Sequence, residues 1–98
     1  MTAPGLRDVF VRSDRIVGRR IAGEYVLVPL VGRGTDADFI YTLNRVAAAI
    51  WESLDGQATG HQVVGRIVAQ FEVDEPRAAT DYLELIEALE SVEAVRRL

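Results

Sequence analysis

The spacing of apolar residues along this chain changes near residue 44. Before that point, short segments rich in β-branched and aromatic residues predict three strands, at residues 19–22, 24–31 and 38–43. After it, apolar residues recur every three or four positions, which is typical of helices. Because the connections between the strands are short, the pattern predicts an antiparallel meander followed by helices.

Polar residues at fixed positions predict where three helices begin. Asn44 can accept a hydrogen bond from an amide in the first turn of the first helix. Thr59 and Gln62 have the spacing of a capping box at the start of the second helix. Asp74 precedes Pro76, whose missing amide is harmless in a first turn, and this pair predicts a third helix that runs to about residue 92.

The first predicted helix has one apolar face. The residues that form it are Val46, Ala47, Ile50, Trp51 and Leu54. This face must pack against another element, and a single tryptophan within it is expected to belong to the core. Gly56 is predicted to end the helix, because glycine adopts the left-handed conformation without a Cβ clash.

The third predicted helix has a wider apolar face than the other two. Its apolar residues are Ala79, Tyr82, Leu83, Leu85, Ile86, Leu89 and Val92. They spread over roughly half of the helical wheel, whereas seating on a core requires a stripe of about 100°. Either the helix contacts both the sheet and a neighbouring helix, or one flank covers something else.

Length and composition indicate the number of domains and the location of the protein. Ninety-eight residues make one domain, and we expect an N-terminal tail over residues 1–14 and the folded domain over residues 15–98. Within the tail, Val9, Phe10 and Val11 could add an extended piece. No apolar run is long enough for a membrane helix and no targeting segment is visible, so we expect a cytoplasmic protein without a membrane partner.

The residue types leave little room for catalysis. The chain has no cysteine and a single histidine, His61. This composition excludes disulfides, thiolate nucleophiles and cysteine-held clusters, and it excludes the usual imidazole metal sites and a Ser-His-Asp triad unless His61 alone serves them. Most enzyme classes therefore lose residues that their chemistry requires, and we expect no cofactor.

The order and spacing of several residues resemble a known family, the PqqD-like proteins, which are also called RiPP precursor peptide recognition elements. The matching positions are Leu43-Asn44, Ala47, Ile50-Trp51, Asp55-Gly56 and Thr59. The similarity spans about residues 15–95. The chain departs from the family in a longer loop over residues 32–37, and in Glu93-Ala94-Val95, where the family has a Gly-Leu-hydrophobic ending.

The resemblance implies an α+β, winged-helix-like fold, with a three-stranded antiparallel sheet followed by three helices. It implies a non-catalytic protein that binds the leader segment of a ribosomally made precursor peptide and presents it to a modifying enzyme, often a radical-SAM protein. The leader would add as a strand beside the third strand, against the third helix. The peptide-binding residues would then be Asp38, Phe39, Ile40, Tyr41, Thr42, Leu43, Ala79, Tyr82, Leu83 and Ile86.

Two other functions fit the same elements. A winged-helix DNA-binding domain also has three helices and a hairpin, but residues 46–98 carry four arginines against ten acidic residues. The third helix would repel phosphates, so we expect no nucleic-acid partner. An accessory or oligomerisation module of a biosynthetic cluster stays open, and the open sheet edge leaves both a monomer and a homodimer open.

Overall fold

The computed structural model of the chain describes residues 3–30 and 41–98. The strands are β1 (Val9–Arg12), β2 (Ile16–Ile21), β3 (Glu24–Pro29), β4 (Tyr41–Leu43), β5 (Asp55–Thr59) and β6 (Val95–Arg97). The helices are α1 (Arg45–Glu52), α2 (Gly60–Gln70) and α3 (Glu75–Ser91). The predicted α+β class with antiparallel strands and three helices is confirmed.

The predicted meander forms one of two sheets, with the strand order β2-β3-β4. All neighbours are antiparallel, and the register sets Tyr25 opposite Leu43 and Val17 opposite Val28. Strand β2 corresponds to the first predicted strand. It begins at Ile16, three residues before the predicted start at residue 19. Residues 38–40 of the predicted third strand, and the predicted loop over residues 32–37, lie outside the described residues.

The second sheet was not predicted, and it corrects the N-terminal boundary. Its order is β5-β1-β6, so the extended piece predicted at residues 9–11 is the central strand. Phe10 is fully buried, and Val11 pairs with both Asp55 and Arg96. A tail that ended at residue 14 would cut this sheet through its middle. Residues 9–12 therefore belong to the folded domain.

All three predicted helix starts are present. The Asn44 side chain accepts a hydrogen bond from the Ala47 amide at 2.8 Å. Thr59 and Gln62 form the reciprocal capping box of α2. Asp74 accepts a hydrogen bond from the amide of Arg77 at 2.9 Å. These caps satisfy amides that the helices cannot satisfy themselves, so they fix where each helix begins.

Gly56 has the predicted left-handed backbone, with a φ of 81°, but it does not end α1. The helix ends at Glu52 with Ser53 as its C-cap, and Gly56 lies within β5. There Val9 pairs with Thr59 and Val11 pairs with Asp55, so the three residues 56–58 of β5 lie opposite the single residue Phe10 of β1. The glycine therefore serves a bulge rather than a helix end.

The helices and the two sheets share one core. Trp51 is 2% exposed, which confirms its expected place in the core. The other fully buried large side chains come from all three helices and from both sheets: Phe10, Leu27, Ile50, Leu54, Val63, Ile67, Tyr82, Ile86 and Leu89. In the described parts of the chain, no helix is long and apolar enough to cross a membrane.

Tyr25 makes one contact within the β2-β3 hairpin and one with the end of α1. The ring of Tyr25 lies over Gly18, where any side chain would overlap it. The Tyr25 hydroxyl donates a hydrogen bond to a carboxylate oxygen of Glu52 at 3.2 Å. Burial and the neighbouring Glu52 carboxylate both raise the pKa of Tyr25. Tyr25 thus packs across the hairpin and links it to α1 by one hydrogen bond.

Gly60 and Gly65 lie in the same helix in opposite surroundings. An added Cβ at Gly60 would lie 2.8 Å from the Tyr82 ring and 2.9 Å from Leu6 Cα, whereas at Gly65 it would have no atom within 4 Å.

We expect Gly65→Ala to raise the free energy of unfolding by about 0.5–1 kcal/mol, because it removes the helix penalty of glycine. Gly60→Ala should lower it by about 1–3 kcal/mol through overpacking. Urea denaturation of both variants measures these changes, and equal effects would contradict the packing described.

A substitution at Phe10 tests whether strand β1 contributes to the stability of the fold. We expect Phe10→Ala to lower the free energy of unfolding by about 3–5 kcal/mol, since it leaves a cavity beneath the central strand of the second sheet. Val92→Ala is the control, because Val92 is 38% exposed. Thermal or urea unfolding followed by circular dichroism gives both values. A Phe10 variant as stable as the control would restore the tail interpretation.

Candidate functional site

A single residue joins strand β4 to helix α1. β4 is the terminal strand of the β2-β3-β4 sheet as described, with β3 on one side. Asn44 follows it directly and caps α1. Because only one residue separates the two elements, the edge of the strand and the exposed face of the first helical turn lie beside each other.

A groove of about 780 Å³ opens next to this joint, between α1 and α3. It is called the α1–α3 groove below. Its apolar lining comes from Val46, Ala47 and Ile50 of α1, from Leu85 of α3 and from Val73. Val46, Ala47 and Leu85 are half-buried, so part of each side chain is covered by the core and part faces the groove. The polar lining consists of Asn44, Glu72, Asp74, Arg77, Asp81 and Glu84.

The charged residues of the groove are mostly acidic. Arg77 donates a hydrogen bond from its Nε to Asp81 at 3.2 Å, and its backbone amide donates to Asp74. The side chains of Glu72 and Glu84 form neither an ion pair nor a hydrogen bond with residues 3–30 and 41–98. The groove therefore combines an apolar floor with a negatively charged rim.

The residues predicted on α3 lie elsewhere. Tyr82 and Ile86 are fully buried in the core, so neither can line a surface groove. Ala79 and Leu83 are half-buried, but they are not among the residues that line the α1–α3 groove. Burial therefore corrects the predicted site at Tyr82 and Ile86, whereas Ala79 and Leu83 stay predictions. α3 presents Arg77, Asp81, Glu84 and Leu85 to the groove instead.

The residues predicted on the strand are only partly described. Asp38, Phe39 and Ile40 lie outside the described residues. Thr42 is exposed, Tyr41 is half-buried and Leu43 is 6% exposed, as expected for a strand whose alternate residues face the core. Thr42 and Leu43 line a second groove of about 790 Å³, which also includes residues of β3, α1 and the end of α2.

A polar flank of α3 explains why the residue pattern missed this part of the site. Arg77, Asp81 and Leu85 are spaced by four residues, with Glu84 beside them, so they share one helical face. That face is mainly charged, and an apolar pattern does not mark it. The available signal was Leu85, the one apolar residue on an otherwise polar flank.

The groove and the strand beside it offer surfaces for binding. In the described parts of the chain, no group of three or more His, Asp or Glu side chains could hold a metal ion. His61 is exposed at the start of α2, away from the α1–α3 groove, and its backbone amide donates to the Leu6 carbonyl at 2.9 Å. The strand edge and the apolar floor together suit an extended chain with apolar side chains.

Comparisons with known proteins give one family model and one solved structure that match the chain. The family model described as coenzyme PQQ synthesis protein D (PqqD) matches residues 24–95. The solved structure of TbiB1 in complex with the TbiA(beta) leader peptide matches with a TM-score of 0.69 at 27% sequence identity. That match covers 88% of this chain and 94% of the TbiB1 chain. No curated protein sequence matches the chain.

Tyr82 provides a test of whether its side chain is buried in the core. Its hydroxyl is buried without a hydrogen-bond partner among the described residues, and burial raises its pKa to about 12. A folded-state pKa above the unfolded value of about 10 means that the stability from this tyrosine is complete below pH 10 and is lost as the pH rises to 12. Removing an unpaired buried hydroxyl should also be favourable.

We therefore expect Tyr82→Phe to be as stable as the native protein or up to about 1 kcal/mol more stable at pH 7. The variant should also lose less stability than the native protein between pH 10 and pH 12. Urea denaturation across this pH range measures both effects. A Tyr82→Phe protein that is clearly destabilised at pH 7 would show that the hydroxyl has a partner.

Proposed function

The chain belongs to the PqqD family, and from this membership and the geometry of the groove we propose that it binds the leader segment of a ribosomally synthesised precursor peptide. The leader binds in extended form along the edge of β4, and its apolar side chains enter the α1–α3 groove. One observation supports this most strongly. A terminal strand ends beside a groove with an apolar floor, in a fold similar to that of a protein solved with a leader peptide.

The energetics require both parts of the site. Each backbone hydrogen bond along the strand edge contributes about 0.5–1.5 kcal/mol, whereas association costs about 4–15 kcal/mol before any affinity appears. A few such bonds cannot offset that cost. Apolar side chains of the leader must supply the rest, at about 25 cal/mol per Å² of apolar surface removed from water. On the protein side, the half-buried side chains of Leu85 and Val46 provide exposed apolar surface for these contacts.

The proposal assigns this chain no chemistry of its own. It holds the peptide for a separate modifying enzyme in the cytoplasm, and a radical-SAM protein is one candidate class for that enzyme. The absence of cysteine and the position of the lone histidine outside the groove support a binding role. The strand edge that receives a leader could also pair with a second copy, so a homodimer would compete with the peptide.

Leu85 and Leu83 form a matched pair for testing the groove. Both are half-buried leucines of α3, but only Leu85 lines the groove. Peptides selected from a displayed library of random 16-residue sequences serve as probes, and fluorescence anisotropy gives their affinities. We expect Leu85→Gln to weaken binding by about 1 kcal/mol, or roughly fivefold, because apolar contact area is lost. Leu83→Gln should leave the affinity within twofold.

Protection of the strand amides tests the second part of the proposal. In a ¹⁵N-labelled protein, the bound peptide should slow hydrogen exchange at the β4 amides that face away from β3. Equal losses of affinity in the two leucine variants would place the peptide elsewhere, as would unchanged exchange throughout β4. Failure of the library to give any binder would contradict peptide recognition itself.

A further inference from the structure

The carboxylates around the α1–α3 groove carry information about the peptide that fits it. Four acidic residues and one arginine line the groove, a formal charge of −3. The arginine is already engaged with Asp81, and Asp74 caps α3. The side chains of Glu72 and Glu84 have neither an ion pair nor a hydrogen bond among the described residues, and each residue directly precedes an apolar lining residue, Val73 and Leu85. At two positions of the lining, a carboxylate without a side-chain partner thus adjoins an apolar lining residue in sequence.

The groove belongs to the acidic part of the chain, because residues 46–98 carry four arginines against ten acidic residues. In the β2-β3-β4 sheet, strand β2 forms the edge opposite to β4. It carries Arg19 and Arg20, and both are exposed. The residues around the groove therefore differ in sign from another exposed surface of the same molecule. A ligand that approaches the groove meets a negative field, because low-dielectric walls concentrate the field of nearby charges.

We infer that the groove selects leader segments that carry an arginine or lysine beside an apolar anchor residue, and that Glu72 and Glu84 are the specificity residues that recognise this charge. The inference rests on the proposed function, since it names the class of leader that the groove accepts. Like charges across an interface disfavour the wrong partner, so an acidic leader is rejected by the same two carboxylates.

The expected effect on affinity is modest because the rim is open to water. An exposed ion pair contributes little free energy, which corresponds to about a 1.5-fold to fivefold change in Kd for each carboxylate removed. The effect should weaken at high salt, as the screening length falls to about 3 Å at 1 M. Selection among peptides is more sensitive than affinity, because repeated rounds of enrichment multiply a small preference.

The experiment applies the random 16-residue display library to four proteins: native, Glu84→Gln, Glu72→Gln/Glu84→Gln and Glu87→Gln. Glu87 is an exposed carboxylate of α3 that does not line the groove, so its variant controls for the loss of a helix charge. The readout is the frequency of Arg and Lys in selected peptides relative to the starting library. All four proteins are first compared by circular dichroism and urea denaturation.

We expect the native and Glu87→Gln proteins to enrich basic residues at a fixed distance from an apolar residue. The double variant should keep the apolar preference and lose the basic one. Apolar enrichment without a basic preference on the native protein would overturn the inference and leave the proposed function standing. So would a basic preference that survives in the double variant. A native protein that selects no peptide would overturn both.

Discussion

The one-residue connection at Asn44 is the constraint on which the rest of the structure depends. It commits the chain to leave β4 and enter α1 without a loop, and the Asn44 side chain makes this possible by capping the helix at 2.8 Å from the Ala47 amide. The apolar face of α1 then packs against α2 and α3, which positions α3 beside the end of the strand. The groove is a consequence of that abrupt change of direction, because two helices and a strand end converge there.

Much of the fold was predictable from local signals. The caps at Asn44, Thr59 and Asp74 depend on nearest neighbours in sequence, and the structure confirms all three. The second sheet was not predictable in this way, because its central strand has four residues and its partners are separated from it by more than forty positions. Gly56 shows the same limit. Its backbone conformation followed from residue type, but its place in a bulge depends on the distant strand β1.

The groove was only half predictable. The apolar face of α1 was identified from the sequence. The wide apolar face of α3 led to a wrong assignment of Tyr82 and Ile86 to the binding surface, because both side chains are buried in the core. The flank toward the groove is polar, with Leu85 as its apolar member. Binding surfaces of this kind are hard to identify from periodicity, since a residue that faces both water and a partner obeys neither a core pattern nor a surface pattern. At Glu93, the chain holds a non-glycine residue at a φ of 60°, where the resembling family has glycine.

The Tyr25 ring over Gly18, with its hydroxyl bonded to Glu52, has a consequence for how a ligand would associate. These contacts restrict the hairpin before any ligand arrives, so they reduce the conformational entropy that its backbone loses when an extended chain binds. The entropic cost then falls mainly on the incoming polypeptide, and preorganisation of the receptor favours ligands that are themselves short and already extended.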